Sequence, residues 1–514
     1  MRASKFLLAV ALACLLCGCA GLPAQQDRPY SAAIVDAHTR LGALFAPGLA
    51  AHPGQSAFHP LQSGEDAFLA RIDLIRSAQR SIDLQYYIYQ FDDSGLALLD
   101  ALLAAADRGV RVRLLLDDFH LASQEKSLAV VAAHPNVEVR VFNPFASRAA
   151  RWFDLIRDFG RVNRRMHNKS MTADGQVAIV GGRNVGNEYF GARDELDFSD
   201  VDLFAAGPVV RDVAAEFDEY WNSASAYALQ PLLGGPKPEK RQLQEYRVQL
   251  AGFLDPQRNP AHPAAPAPPE VLAALAAGEL PLYWGAGELI YDRVNKVTLP
   301  VADRSGRAME RLLANLLEAK QELILVSPYF VPGRQGVRVL RDLVRRGVHV
   351  VVLTNSFAAT DVQAVHAGYA AYREELLAAG VELYELKPKI RRAVAHGRKR
   401  ILGGSSRTSL HAKAYMVDGR RLFVGSLNLD PRSIRLNTEM GIMADSEEMC
   451  APLRQRFRER LPDVAYRVTL RDGRLAWTTR EDDAQISLDS EPGMGWLQRI
   501  GQHLLRLLPV EEQL

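Results

Sequence analysis

The 514-residue chain, 48% apolar and 24% charged, is long enough for more than one buried core and has the composition of an ordinary globular protein. Its 62 basic and 60 acidic residues leave a net charge of only +2. A nucleic-acid clamp carries a clear basic excess, so no nucleic-acid partner is expected.

The chain opens MRASKFLLAVALACLLCGCAGLPAQ, with Arg2 and Lys5 ahead of an apolar run and then small residues. This is the three-part pattern of an export signal, and its run is shorter than the ~20 residues a spanning helix needs. Leu16-Cys17-Gly18-Cys19 resembles the bacterial lipobox. That resemblance implies a lipoprotein signal peptide over residues 1–18 and lipid on the sulfur of Cys19; the alternative is an ordinary export signal that contains cysteines. It implies a membrane anchor on the periplasmic side of the envelope. Ala20 after Cys19 leans toward the outer membrane, with the inner membrane still open. Cleavage removes Arg2 and Lys5, so 60 basic residues balance 60 acidic ones, and acylation of Cys19 leaves Cys450 without a disulfide partner.

Residues 19–62 scatter Ala, Gly and Pro without periodicity and read as a tether. Residues 81–89, SIDLQYYIY, alternate and are rich in β-branched and aromatic types, which predicts a strand. Helical spacing of Leu and Ala over 96–107 and a second strand over 110–116 complete a βαβ unit with parallel pairing. The order returns as a strand over 322–330, a helix over 336–346 and a strand over 347–353, entered through the same Arg-Gly-Val step. Such self-similarity predicts two copies of one unit. The first lobe is expected over 63–233, a proline-rich linker and connecting segment over 234–300, the second lobe over 301–470 and a tail over 471–514.

The stretch His167-Asn-Lys169, with Asp174 and then Gly181-Gly-Arg-Asn184, recurs as His411-Ala-Lys413, with Asp418 and Gly425-Ser426-Leu-Asn428. A lone H-x-K is common; two copies of H-x-K-x4-D-x6-G-x-x-N, one per half, point to function. On a strand, residues two apart share a face, so each histidine and its lysine would face one cavity. Folding the halves together brings two imidazoles and two ammonium groups around a single phosphodiester. One histidine attacks phosphorus while the other protonates the leaving oxygen and later deprotonates the acceptor. An unperturbed pKa of ~6.5 suits histidine to both parts. The lysines and the amides of Asn184 and Asn428 would neutralise and bind the phosphoryl oxygens, with no metal and no cofactor required. Ser426 offers a phosphate-binding hydroxyl that the first half, with Gly182, lacks.

Each histidine needs an acceptor on its far ring nitrogen. Glu439, in Asn437-Thr-Glu439, and Asp202, in Phe198-Ser-Asp200-Val-Asp202, are the expected partners, with Asp200 as the rival. Asp174 and Asp418 precede Gly175 and Gly419, a hairpin-turn signature that suits a structural part. The cluster Tyr86, Tyr87 and Tyr89 reads as sheet packing, and His349 and His366 as structural.

The paired motifs resemble those of the phospholipase D superfamily, over residues 65–510 or so, and most of all its bacterial cardiolipin synthase C subfamily. Supporting stretches are RRMHNKS at 164–170, VGGRN at 180–184, TNSFA at 354–358, GVELYELKP at 380–388 and DPRS at 430–433. The resemblance implies an α/β fold of two similar lobes with central mixed sheets, pseudo-twofold related, with one active site at their interface. It carries the catalytic set onto His167, Lys169, Asp174, His411, Lys413 and Asp418, with His167 as nucleophile; the near-symmetry of the residues themselves leaves that order open. The implied activity is transphosphatidylation through a phosphohistidine, from phosphatidylethanolamine to phosphatidylglycerol, giving cardiolipin. Hydrolysis to phosphatidic acid, a nuclease of the same superfamily and a catalytically silent lipid-binding lipoprotein are the alternatives. Three segments fit a membrane surface as well as ordinary packing: 151–161 with its aromatics and arginines, the basic residues of 387–400, and an amphipathic helix over 496–508.

Overall fold

A computed structural model describes residues 21–25, 30–191, 200–255, 257, 271–390, 407–408, 410–481 and 484–495. The leader with Cys19, the proline-rich 260–269, most of the basic run (391–400) and the 496–508 helix lie outside the described residues.

The first lobe is built on β1 (Ser56–Leu61), β2 (Ser81–Tyr86), β3 (Arg111–Asp117), β4 (Val137–Phe142), β5 (Ser170–Ala173), β6 (Val177–Gly181), β7 (Asp202–Ala206) and β8 (Ala226–Ala228). Hydrogen-bonded neighbours run β8-β4-β3-β2-β5-β6-β7-β1, with β2, β3 and β4 parallel and the other pairs antiparallel. The second lobe repeats this plan with β9 (Tyr283–Tyr291), β10 (Glu322–Val326), β11 (His349–Asn355), β12 (Glu382–Leu386), β13 (Lys389–Ile390), β14 (Arg407–Thr408), β15 (Ala414–Val417), β16 (Arg421–Gly425), β17 (Met440–Asp445), β18 (Ala465–Arg471), β19 (Arg474–Glu481) and β20 (Ala484–Leu488). Its order is β9-β17-β16-β15-β10-β11-β12-β18-β19-β20, with β10, β11 and β12 parallel, while β13 and β14 pair apart from the sheet.

The parallel strands follow from their connections. Helix Asp93–Asp107 starts where the Asp92 side chain accepts from the Gly95 N–H, and helix Gly333–Arg345 stands in the matching place. Each ends two residues ahead of a left-handed glycine, Gly109 at φ +92° and Gly347 at φ +88°, which turns the chain back toward the next strand.

β1 and β9 hold equivalent places, β1 pairing with β7 and β9 with the matching β17, and they pair with one another at Ser56–Phe58 and Tyr283–Gly285. The two sheets therefore meet edge to edge. Beneath that seam one apolar cluster takes Val180, Leu203 and Val213 from the first lobe and Ile324, Leu353, Val424 and Ile442 from the second. A shared, close-packed core sets the lobes relative to each other.

Three expected boundaries are corrected. Residues 19–62 are not a plain tether: Arg40–Ala51 is a helix and β1 is a nearly fully buried strand between β7 and β9. Residues 234–300 carry helix Lys240–Leu254 and the strand that opens the second lobe. Part of the tail is sheet, since β19 and β20 extend the second lobe beyond β18. β1 and β9, flanked by Ala, Gly and Pro, have too little periodicity to announce themselves, and their pairing partners lie far away in sequence.

The two motif aspartates are parts of the scaffold. Asp174 and Asp418 sit at φ +55° and +54°, followed by left-handed Gly175 and Gly419. The Asp174 carboxylate accepts from the N–H groups of Gln79, Arg80 and Ser81, and Asp418 accepts from Lys320, Gln321 and Glu322, tying each hairpin to the start of the parallel strand beside it. Asp174→Ala strands three donors at once, and hydrogen bonds to a charged acceptor contribute ~1.5–3 kcal/mol each. We expect this variant to lose about 3 kcal/mol or more of unfolding free energy in a denaturant titration.

Candidate active site

The two H-x-K stretches lie just upstream of β5 and β15, in extended chain rather than within the strands themselves. The expected geometry survives that shift, because each lysine folds back along its own segment. Lys169 Nζ donates to the His167 carbonyl at 2.7 Å, and Lys413 Nζ donates to the His411 carbonyl.

The first segment is held by both lobes. Asp117, at the end of β3, accepts from the Met166 N–H at 2.9 Å. Met166 and Thr438 form a parallel bridge across the interface, with the His167 N–H donating to the Thr438 carbonyl at 2.9 Å. Asn168 then accepts from the Thr438 hydroxyl and donates to Glu216, whose carboxyl burial pushes up to about 8.

Orientation of the imidazoles also crosses the interface. His167 Nδ1 lies 2.8 Å from Glu439 Oε2, and His411 Nδ1 lies 2.7 Å from Asp200 Oδ2. Each lobe thus supplies the carboxylate for the other lobe's histidine, and neither Nε2 atom has a hydrogen-bond partner among the described residues.

Asp202, expected on a histidine, is corrected. It pairs with Gly181 in the β6–β7 ladder just as Gly441 pairs with Gly425 in the β16–β17 ladder. Its carboxylate takes Arg71 at 2.8 Å and the Arg183 N–H at 3.1 Å inside the first lobe. The counterpart of Glu439 is the residue two positions before Asp202, which is Asp200.

Ser426 is also corrected. Its hydroxyl donates to Glu439 Oε2 at 2.5 Å, so it steadies the carboxylate instead of reaching a phosphate; Ser433 does the same for Oε1 at 2.7 Å. Gly182 is not a missing hydroxyl either, because a Cβ there would stand 2.2 Å from Asp200 Oδ1. The longer glutamate has a serine beside it where the shorter aspartate has bare backbone. Asn184 accepts from the Ile88 N–H at 3.2 Å, whereas Asn428 Oδ1 is buried with no hydrogen-bond partner among the described residues.

Several neighbours lay outside the motif reading. Tyr87 stands edge-on to His167 at 5.1 Å and beneath the Lys169 ammonium at 5.7 Å. Tyr189 stands edge-on to His411 at 5.5 Å. Arg432 reaches across the interface to Asn163 at 2.9 Å. Of the tyrosine cluster, Tyr86 and Tyr89 do pack as expected, bonded to Arg71 and the Gly95 carbonyl, while Tyr87 alone meets the site. The structural reading holds for His366, which is buried against Glu491 and Arg373.

Burial and four neighbouring cationic or basic groups dominate the electrostatics. Burial, then Lys169 and Lys413, hold His167 well below the ordinary histidine range. Burial and then Lys413 also lower His411, against the pull of Asp200. Burial brings Lys169 down to about 7 and Lys413 to about 8, each opposed by the site's carboxylates. Burial raises Glu439; at Asp200 burial acts the same way, but His411, Arg183 and Lys413 outweigh it and hold that carboxyl low.

The arrangement suits nucleophilic displacement at an anionic tetrahedral centre: two free Nε2 atoms, two ammonium groups and buried amides converging at one interface. Two copies of an αβ unit sharing such a site define a phosphodiester-transferring class. A model described as "Cardiolipin synthase, PLD-like domain" matches residues 71–221 and 312–461, and the chain belongs to this phospholipase D-like family. It is 43% identical over 475 residues to cardiolipin synthase C of Escherichia coli (strain K12), covering 92% of this chain and 99% of that one. It is 30% identical over 498 residues to an uncharacterized protein of Helicobacter pylori (strain ATCC 700392 / 26695), covering 96% and 97%. The fold matches the crystal structure of phosphatidylserine synthase from Haemophilus influenzae Rd KW20, with a TM-score of 0.56, 15% identity and coverage of 89% and 95%.

Ammonium groups that neutralise phosphate must stay protonated, and kcat/KM reports the free enzyme. With Lys169 at about 7 and Lys413 at about 8, kcat/KM is expected to fall as pH rises through 7 to 8. Lys169→Arg should move that decline to higher pH at a lower maximum rate, since guanidinium keeps its proton. A pH–rate series on both proteins checks this.

Proposed function

We propose that the chain is a phosphatidyltransferase that makes cardiolipin, with phosphatidylethanolamine as donor and phosphatidylglycerol as acceptor. The observation that carries this reading is the crossed pair His167–Glu439 and His411–Asp200, which orients both imidazoles through Nδ1 across one interface and supports a shared phosphorus between their Nε2 atoms. The relatives' names and the family model support the choice of lipid substrates.

His167 is the nucleophile. It is the more enclosed imidazole, with its side chain 11% exposed against 25% for His411, and it is the one held further below the ordinary range. Its neutral Nε2 attacks phosphorus. The bond from phosphorus to the head-group oxygen breaks, and that oxygen takes the Nε2 proton of His411, whose charge the low-lying Asp200 carboxylate stabilises. In the second step the acceptor hydroxyl gives its proton to His411 as its oxygen attacks phosphorus and the N–P bond breaks. One alcohol replaces another, and each histidine returns to its starting form. Lys169, Lys413 and Asn428 bear the phosphoryl oxygens.

A lipid tether on Cys19, on the periplasmic side of the envelope, would hold the enzyme at its substrates. No helix among the described residues is long and apolar enough to cross a membrane. A surface contact is supported by exposed Phe119, Trp152, Ile156 and Phe159, with Trp152 64% and Ile156 75% exposed. Arg151 fastens this patch to the Asp118 carbonyl at 2.7 Å, and Phe119 stands beside His120, which stands beside Tyr87. Contiguous exposed apolar groups mark interaction surfaces, and burying one such side chain contributes ~1.5–3 kcal/mol.

Incubation of purified protein with labelled phosphatidylethanolamine, with and without phosphatidylglycerol, tests the reaction. Label should enter cardiolipin only when both lipids are present; phosphatidic acid formed regardless of acceptor would make the same residues a hydrolase. His167→Ala and His411→Ala should each lower turnover by about 1,000-fold or more with the fold intact, and substantial residual turnover in either would sink the shared-site mechanism. Trp152→Ser with Ile156→Ser should weaken sedimentation with anionic vesicles about tenfold or more, and unchanged binding would remove this patch from the membrane contact.

A further inference from the structure

The two halves of the site follow one plan, so positions where they differ in charge report what each side handles. Ser81 and Glu322 begin equivalent strands, each with its N–H on a motif aspartate. Counting on seven residues from each pairs Ile88 with Tyr329, in agreement with the bridges Tyr89–Val185 and Phe330–Leu429 one residue later. The next strands begin at Arg111 and His349, whose N–H groups take the carbonyls of Arg80 and Gln321. Twelve residues further on, Ser123 pairs with Asp361. Five residues after Asn184 and Asn428, Tyr189 pairs with Ser433, and one position earlier Glu188 pairs with Arg432.

These differences sort by side. Around His411 and Lys413 stand Tyr189, Tyr329 and Asp361: Tyr189 is edge-on to the imidazole, and the Tyr329 hydroxyl donates to Asp361 Oδ2 at 2.7 Å. Asp361 is near enough to act on the Lys413 ammonium. Around His167 the matching positions are isoleucine and serine, and the charged group that acts on this imidazole besides Lys169, Lys413 and His411 is Arg432. Tyr87 gives the His167 end an aromatic ring as well, so the ends differ chiefly in charge: Asp361 stands at the His411 end and Arg432 at the other.

We infer that Tyr189, Tyr329 and Asp361 form a subsite for the primary ammonium of the donor head group. The inference rests on the reading above, in which His411 protonates the leaving alcohol, because that alcohol must then lie on the His411 side. An aminoethyl group carries its ammonium two carbons beyond the scissile oxygen. Aromatic faces and a carboxylate recognise such a cation by cation–π attraction and a charge-assisted hydrogen bond. The Tyr329 hydroxyl holds one carboxylate oxygen and leaves the other for the ligand. Once the amine departs, an incoming glycerol head group enters from the same side, and its hydroxyls can donate to the same carboxylate. Specificity for the cationic donor then comes from residues outside the paired motifs.

The test compares two donors in vesicles of one composition: phosphatidylethanolamine and phosphatidyl-p-nitrophenol, which presents the same phosphodiester without an ammonium. Asp361→Asn should lower the ratio of kcat/KM on the first to kcat/KM on the second by about tenfold or more, as expected for loss of a hydrogen bond between charged groups. Tyr329→Phe should lower the same ratio by less. The reciprocal variant Ser123→Asp, at the matching place beside His167, should leave the ratio where it was. A ratio unmoved by Asp361→Asn, or an equal loss on both donors, overturns the subsite. Wild-type protein that turns over the nitrophenyl ester but not phosphatidylethanolamine overturns the choice of donor and the subsite with it, an outcome readable before any variant is made.

Discussion

The interaction on which the structure depends is the crossed pairing of histidines and carboxylates between the lobes. Two imidazoles and two ammonium groups gathered in a buried space repel one another and lose hydration, and both effects push all four toward their neutral forms. Glu439 and Asp200 oppose that push from opposite sides of the interface. Neither lobe alone holds both an H-x-K segment and the carboxylate that orients it. An arrangement of this kind requires the lobes to be set rigidly, and the shared apolar cluster together with the β1–β9 seam does so. The site is therefore a property of the interface.

The two carboxylates are equivalent in place and unequal in chemistry. Glu439 is fully buried, held by Ser426 and Ser433, and raised by burial; Asp200 is held low by cationic neighbours. A low-lying acceptor stabilises a protonated partner, whereas a buried and raised one favours a neutral partner. Near-symmetric halves thereby give the two histidines unequal surroundings, and the same asymmetry extends outward to Arg432 on one side and Asp361 on the other.

Much was legible without coordinates. The two βαβ units are carried by alternating apolar strands and by helices ended with Arg-Gly, and the parallel pairings match. The doubled motif brings His167, Lys169, His411 and Lys413 together as its spacing implied. The turn role of Asp174 and Asp418 was readable from Asp-Gly. The partner of His411 was not. Asp200 and Asp202 are both acidic and two residues apart, and only the pairing of Gly181 with Asp202 shows which one occupies the place of Glu439. Likewise Ser426 and Gly182 looked like a phosphate ligand and its loss until the carboxylates beside them were in view.

By itself the sequence determined the repeat, the chemical groups of the site and the family to which they belong, because these are carried by residue type and local spacing. The tertiary structure alone decided which carboxylate serves which histidine, that β1 and β9 are paired core strands, and that Tyr189, Tyr329 and Asp361 gather at one end of the site. Those facts depend on strand register and on contacts between residues hundreds of positions apart, and neither leaves a periodic trace in the chain.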